Sequence, residues 1–183
     1  MDYFISDLHF GHKNILRYDN RPFSDTDEMD KALIENWNNV VKDNDDVYIL
    51  GDVSWKSVEE TIEIFKSLKG NKHLIVGNHD SKYIKDSEFR KLFSEIVDYK
   101  EIIENGVLVV LSHYPIMFFK CQHKGAIHFY GHVHNSQDWN FVKSSQKSIQ
   151  ELYADPNCCG MYNVGCMIDY MNYTPRTFKE IVK

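Results

Sequence analysis

Short apolar runs, each stopped by a sharp polar turn, constrain this chain more than any other feature of its sequence. His73-Leu74-Ile75-Val76 runs into Gly77-Asn78-His79-Asp80, Asp46-Val47-Tyr48-Ile49-Leu50 into Gly51-Asp52, and Tyr3-Phe4-Ile5 into Ser6-Asp7-Leu8-His9. Apolar runs of this length, rich in β-branched and aromatic residues and closed by Gly, Asn or Asp, read as buried strands. Gly77 lets the chain bend there without a Cβ penalty. Helical periodicity fills the gaps between them. Met29, Leu33, Trp37 and Val40 fall at i, i+4, i+8 and i+11, one face of a helix with Ser24 as its expected N-cap. Asp25, Asp27, Glu28 and Asp30 give that helix an acidic, solvated face favoured by the helix dipole. A second helix is expected over Ser57 to Lys69, opened by a Ser57/Glu60 capping box, turning Ile62, Phe65 and Leu68 inward, and ended by Gly70. A short third helix is expected over Ser87 to Phe93.

From Ile96 onward the pattern turns to strands. Asn105-Gly106 between Ile102-Ile103 and Val107-Leu108 is a hairpin signal. Further strands are expected at Val107–Ser112, Ala126–Tyr130 and Met161–Val164. Phe141 to Tyr153 carries apolar residues only at wide intervals and reads as an amphipathic helix on the excursion between Asn135 and Cys159, whose role stays open. Alternating β and α followed by a β-rich half implies helices covering two packed sheets. No repeat, linker or low-complexity tract divides the chain, so residues 1–183 are expected to form one domain.

The net charge of −6 argues against an extended nucleic-acid footprint, which needs a clustered basic face, and gives no attraction to an anionic membrane surface. Met1 leads almost directly into a strand-like run, without a signal peptide's basic and apolar regions, and Cys121, Cys158, Cys159 and Cys166 fit neither a zinc-ribbon nor a C-x-x-C spacing. The expectation is a cytoplasmic protein with reduced thiols, Cys158 and Cys159 acting as small apolar side chains.

The chemistry gathers where the strands end. Asp7-Leu8-His9, Gly51-Asp52, Gly77-Asn78-His79-Asp80, Ser112-His113 and Gly131-His132-Val133-His134 each present metal-ligand side chains just past an apolar run. The carboxyl ends of strands are the usual site crevice of α/β sheets. In extended backbone Asp7 and His9 would share a face, as would His132 and His134, the latter pair ~6–7 Å apart at Cβ. That is wide for one tetrahedral ion. It suits two ions ~3.5–4 Å apart with Asp52 between them. A donor set of imidazole, carboxylate and amide without thiolate favours Mn, Fe, Zn, Co or Ni.

These five blocks in this order resemble the calcineurin-like metallophosphoesterase superfamily, over Asp7 to His134, with Asn163-Val164-Gly165 similar to the segment closing the family core. The resemblance implies a four-layer α/β/β/α sandwich with two mixed sheets flanked by helices. It implies one metal held by Asp7, His9, Asp52 and His134, a second held by Asp52, Asn78, His113 and His132, and His79 as proton donor to the leaving group. The cofactors would be two divalent transition metal ions, Mn²⁺ favoured, with Fe, Zn, Ni or Co as alternatives. The expected activity is hydrolysis of P–O bonds by a metal-bridging hydroxide, a phosphodiesterase first, on a small phosphorylated substrate or phosphodiester. A phosphomonoesterase or nucleotidase is the nearest alternative, and a metal-binding scaffold on the same fold is the non-enzymatic one.

The loop after the first ligand pair must line the same pocket, so His12, Asn14, Arg17 and Arg21 are candidate substrate contacts. Trp55 either stacks on a nucleobase or packs, with packing favoured. His73 and His128 read as structural and His123 as solvated. Asp80 either orients His79 or caps the next helix.

Overall fold

The computed structural model describes residues 1–182. In chain order it runs β1 (Asp2–Ile5), α1 (Ile15–Tyr18), α2 (Thr26–Val40), β2 (Asp46–Ile49), α3 (Val58–Ser67), β3 (Asn71–Ile75), α4 (Ser87–Arg90), β4 (Phe93–Val97), β5 (Tyr99–Glu104), β6 (Val107–Ser112), β7 (Ile127–Tyr130), α5 (Gln137–Tyr153), β8 (Gly160–Asn163), β9 (Arg176–Thr177) and α6 (Phe178–Ile181). The first sheet has the order β4-β3-β2-β1-β9, parallel except for β9 at its edge. The second has the order β5-β6-β7-β8, with β5 antiparallel to β6 and the rest parallel. Both sheets are thus mixed, as expected.

Period-2 alternation decides which side chains fill which layer. Val109 and Leu111 of β6 and Phe129 of β7 point toward the first sheet, where the Phe129 ring meets Phe4 edge-on at 4.9 Å. Val110 and Tyr130 point the other way, onto Val142 and Ile149 of α5. On the far side, Met29, Leu33 and Trp37 of α2 and Phe65 of α3 cover the first sheet. The layers are therefore helix, sheet, sheet, helix. The sheets also join through backbone: the Ser6 amide donates to Val164 at 2.8 Å and Cys166 donates back to Ser6 at 2.9 Å.

Most elements lie where expected, with physical reasons for the departures. The N-cap of α2 is Asp25, whose carboxylate accepts from the Glu28 amide at 2.9 Å, while the Ser24 hydroxyl reaches Glu28's carboxylate instead. Asp30 is not part of a solvated face: it is buried, accepts from the Gly11 amide at 2.9 Å and pairs with Lys56 at 3.2 Å. The third helix ends at Arg90, and Phe93 opens β4, which pairs parallel to β3. The hairpin closes on Asn105 and Gly106, both at positive φ, as a two-residue turn requires. The excursion carries a 17-residue helix that starts at Gln137, capped by Ser136, four residues ahead of the expected start at Phe141. Among the described residues no helix is long and apolar enough to cross a membrane.

Candidate functional site

Loops that leave the carboxyl ends of β1, β2, β3, β6 and β7 converge at one end of the sheets. Their backbone is not extended. Asp7 (φ 56°), His9 (51°), Asp52 (57°), His132 (68°) and His134 (47°) all occupy the left-handed region. This corrects the picture of i, i+2 pairs sharing one face of a strand. Left-handed backbone at non-glycine residues costs about 1–3 kcal/mol each and persists only where the surroundings impose it. Here Asp7 donates its amide to Gly51 at 3.1 Å and His9 donates to Asp52 at 3.0 Å, tying the two loops together.

Two donor clusters result. Asp7, His9, Asp52 and His134 place one ligand atom each within 4.8 Å of one another, and Asp52, His113 and His132 do the same. Asp52 belongs to both. His9 Nε2 lies 3.3 Å from His134 Nε2 and 3.7 Å from the Asp52 carboxylate. The Asn78 amide oxygen lies 3.0 Å from His113 Nε2 and 2.9 Å from His132 Nδ1, joining the second cluster. The i, i+2 histidines do diverge: His134 serves the first cluster and His132 the second.

The arrangement fits divalent metal. His113 Nδ1 faces the Leu50 carbonyl at 2.7 Å and His134 Nδ1 faces Asp19 at 2.8 Å, so each ring's proton is held on the outer nitrogen and Nε2 presents a lone pair inward. Several nitrogen lone pairs and two carboxylates aimed at a common volume repel unless a cation or protons intervene. The donor set suits a borderline transition ion. The protonation tendencies agree with this crowding. Burial, then the neighbouring His134, holds the His9 ring well below the ordinary imidazole value. Burial, then His113, also lowers His132. Burial and the charge of Asp7 push Asp52 above the ordinary carboxylate range, against the pull of His113. At His134 burial opposes the charged ring, but Asp7 and Asp19 outweigh it and raise the value.

Two glycines are explained by close approach. A Cβ on Gly77 would collide with the carboxylate and amide of Asp52, and one on Gly131 with the Ser6 hydroxyl and the Asp7 carboxylate. Gly77 is therefore needed for space beside Asp52. Asp80, left open by the sequence, is fully buried and accepts from the amides of Gly77 (2.8 Å), Asp52 (3.0 Å) and Val53 (2.9 Å). It locks the β2 turn to the β3 turn.

His79 stands at the lip. Its amide donates to Asp52 at 3.0 Å, its side chain is 42% exposed, and its Nε2 lies 3.9 Å from the Asp52 carboxylate. A cleft of about 580 Å³ opens beside it, lined by His12, Asn14, Tyr18, Trp55 and Val133 among others, and no Lys or Arg is among its lining residues. Trp55 is 42% exposed as a residue, its ring stacked on His12 at 4.1 Å and set edge-on to His79 at 4.3 Å, so it forms a wall and is not packed away.

His12 and Asn14 thus line the cleft, but the other two expected substrate contacts do not. Arg17 is exposed and lies over the Tyr18 ring, outside the lining. Arg21 is buried behind the ligand loop, where its fork donates to the carbonyls of Asp7 and Leu8 and to the Asp19 carboxylate. Asp19 had no signal in the sequence, since it belongs to none of the strand-end blocks. Away from the site, His73 bridges Asp46 and Glu95, and His128 is buried between the Val110 carbonyl and the Ile116 amide. His123 is exposed, 3.0 Å from the Cys158 sulfur.

Among known proteins, the chain matches the family model described as calcineurin-like phosphoesterase over residues 3–161. It is similar to the uncharacterized protein MJ1445 of Methanocaldococcus jannaschii, 36% identical over 184 residues covering 99% of this chain and 89% of that one. In structure it resembles the protein of unknown function AQ665 from Aquifex aeolicus, with a TM-score of 0.72 and 30% identity over 98% of this chain and 96% of that one.

Proposed function

The chain belongs to the calcineurin-like phosphoesterase family, and on that premise we propose that it is a metal-dependent phosphodiesterase of the cytoplasm acting on a small substrate. The observation that supports this best is the pair of donor clusters sharing Asp52, whose members His9, His132 and His134 line a cleft with His79 at its lip. In this reading Asp7, His9, Asp52 and His134 hold one ion, and Asp52, Asn78, His113 and His132 the other, with manganese the favoured metal. When bound, such ions acidify water and neutralise phosphoryl oxygens.

The protein's own groups do the rest. The clusters fix where the phosphoryl group sits. His79, exposed on the cleft side of Asp52, is placed to give a proton to the departing oxygen, a role that contributes typically ~10²–10⁴-fold. Charge favours the diester over the monoester. Two divalent ions against Asp7, Asp52 and one hydroxide leave a net charge of roughly +1, which matches a diester monoanion. A monoester carries close to −2 at neutral pH, and the cleft lining supplies no Lys or Arg for the second charge. The buried thiols of Cys158, Cys159 and Cys166 suit the reducing compartment proposed.

The test is hydrolysis of bis-p-nitrophenyl phosphate against the mono-ester, with metal-stripped protein reloaded with Mn²⁺. The diester is expected to be preferred, and activity to vanish on chelation. In His79→Ala, Mn²⁺ binding is expected to persist while turnover of a diester with a poor leaving group falls ~10²-fold or more. Full activity of that variant would overturn the acid role, and a preference for the mono-ester would overturn the substrate class.

A further inference from the structure

Beside the first donor cluster lies an ion pair of which Asp19 reaches the edge of the cleft and Arg21 is buried behind it. Asp19 follows the last turn of α1, and its side chain is 4% exposed. Its carboxylate oxygens lie 2.8 and 3.0 Å from His134 Nδ1. On its other side Arg21 donates to it twice, from Nε at 3.0 Å and Nη2 at 2.9 Å. The remaining reach of the guanidinium goes to the ligand loop itself, from Nη1 to the Leu8 carbonyl at 3.0 Å and from Nη2 to the Asp7 carbonyl at 2.9 Å. One planar fork therefore joins the backbone that carries Asp7 to the carboxylate that holds His134, although the two ligands are 127 positions apart in the chain.

We propose that Asp19 and Arg21 form a positioning pair: Asp19 fixes the His134 proton on Nδ1 and aims Nε2 at Asp7 and His9, and Arg21 sets Asp19 in register with the Asp7–Leu8 backbone. The proposal rests on the reading of the clusters as a metal centre. Which imidazole nitrogen is free to bind metal is set by the hydrogen bond the other one makes. Carboxylates that orient a ligating histidine typically change metal affinity ~10–100-fold when removed. Here the carboxylate's hydrogen bonds go to His134 and Arg21. Both oxygens face His134, and one also receives Arg21 twice. Arginine is required in place of lysine because a single ammonium lacks the planar set of donors that reaches a carboxylate and two carbonyls together.

The experiment uses Asp19→Ala and Asp19→Asn in the full chain, with three readouts. Mn²⁺ titration by calorimetry measures affinity. Imidazole ¹⁵N shifts of His134 in the metal-free protein, in alkaline buffer, report its tautomer. Thermal melting reports folding. Asp19→Ala is expected to weaken Mn²⁺ binding ~10–100-fold and move the His134 proton to Nε2. Asp19→Asn, whose amide oxygen still accepts from Nδ1–H, is expected to keep the tautomer and recover part of the affinity; it also serves if the alanine variant fails to fold with Arg21 unpaired. Unchanged affinity, or a His134 proton that stays on Nδ1 in Asp19→Ala, overturns the proposal. If wild-type protein binds no Mn²⁺, the metal reading fails, and the tautomer measurement still decides what Asp19 does.

Discussion

Replacing Asp80 tests whether the site's frame depends on one carboxylate. Three buried amides, those of Gly77, Asp52 and Val53, donate to it at 2.8 to 3.0 Å. A hydrogen bond to a charged group contributes about 1.5–3 kcal/mol net of desolvation, and a buried donor left unpaired costs about 1–3 kcal/mol. The three amides share one carboxylate, Gly77 and Asp52 on one oxygen and Val53 on the other, so their contributions do not simply add. Asp80→Ala is therefore expected to destabilise by roughly 4 kcal/mol, a large fraction of the ~5–15 kcal/mol that holds a typical domain together. For a chain of this length that lowers Tm by roughly 8–16 °C. Asp80→Asn keeps one acceptor oxygen and turns an NH₂ toward the remaining donors, so about half the loss is expected, roughly 2 kcal/mol. The assay is urea unfolding followed by tryptophan fluorescence, with chelator present so that metal binding does not enter. A loss under ~1 kcal/mol in the alanine variant, or equal losses in the two variants, would refute the reasoning, since either means that the amides find other partners.

Two further outcomes follow from geometry and charge. Burial lowers His128 from 6.5 to about 4. Its folded value lies below its unfolded one, so between those values the unfolded chain holds more protons. The stability it contributes is complete above pH 6.5 and lost as pH falls toward about 4, a change of roughly 3 kcal/mol. Urea unfolding across that range, wild type against His128→Gln, is expected to show the slope reduced in the variant, and equal slopes would remove His128 as its cause. Gly131→Ala drives a methyl group into Ser6 and the Asp7 carboxylate. Overpacking of this kind costs ~1–3 kcal/mol, and Mn²⁺ titration is expected to show weakened binding while the protein remains folded. Binding at wild-type strength would mean that the loop yields without moving Asp7.

Three strands of the first sheet, β1, β2 and β3, and the ligand blocks at their ends were readable because each depends on local pattern, an apolar run and then a turn residue; β4 and the two-residue β9 were not expected. The capping box at Ser57 and Glu60 formed as its spacing demands. What could not be read depends on partners distant in sequence. Nothing near Asp7 signals a left-handed backbone, because the loop of Gly51–Asp52 imposes it from another strand. Arg21 looked like a surface arginine in a substrate loop, and only the fold shows the three acceptors that bury it. Asp80 is adjacent to His79, which drew attention to the histidine, whereas its carboxylate turns back into the protein. The start of α5 was hidden because Gln137 to Asn140 offers one large apolar residue, Trp139, ahead of the periodic stretch.

The seam between the two sheets has a mechanical consequence. Near the site the sheets share a short backbone bridge, through Ser6, Val164 and Cys166. Each donor cluster straddles that seam: Asp7, His9 and Asp52 hang from the first sheet and His134 from the second, while Asp52 and Asn78 oppose His113 and His132. An ion held by these donors would then act as a rivet, resisting shear of one sheet over the other. Stripping the ions should quicken hydrogen exchange first at the amides of Ser6 and Cys166, before the interior of either sheet loosens.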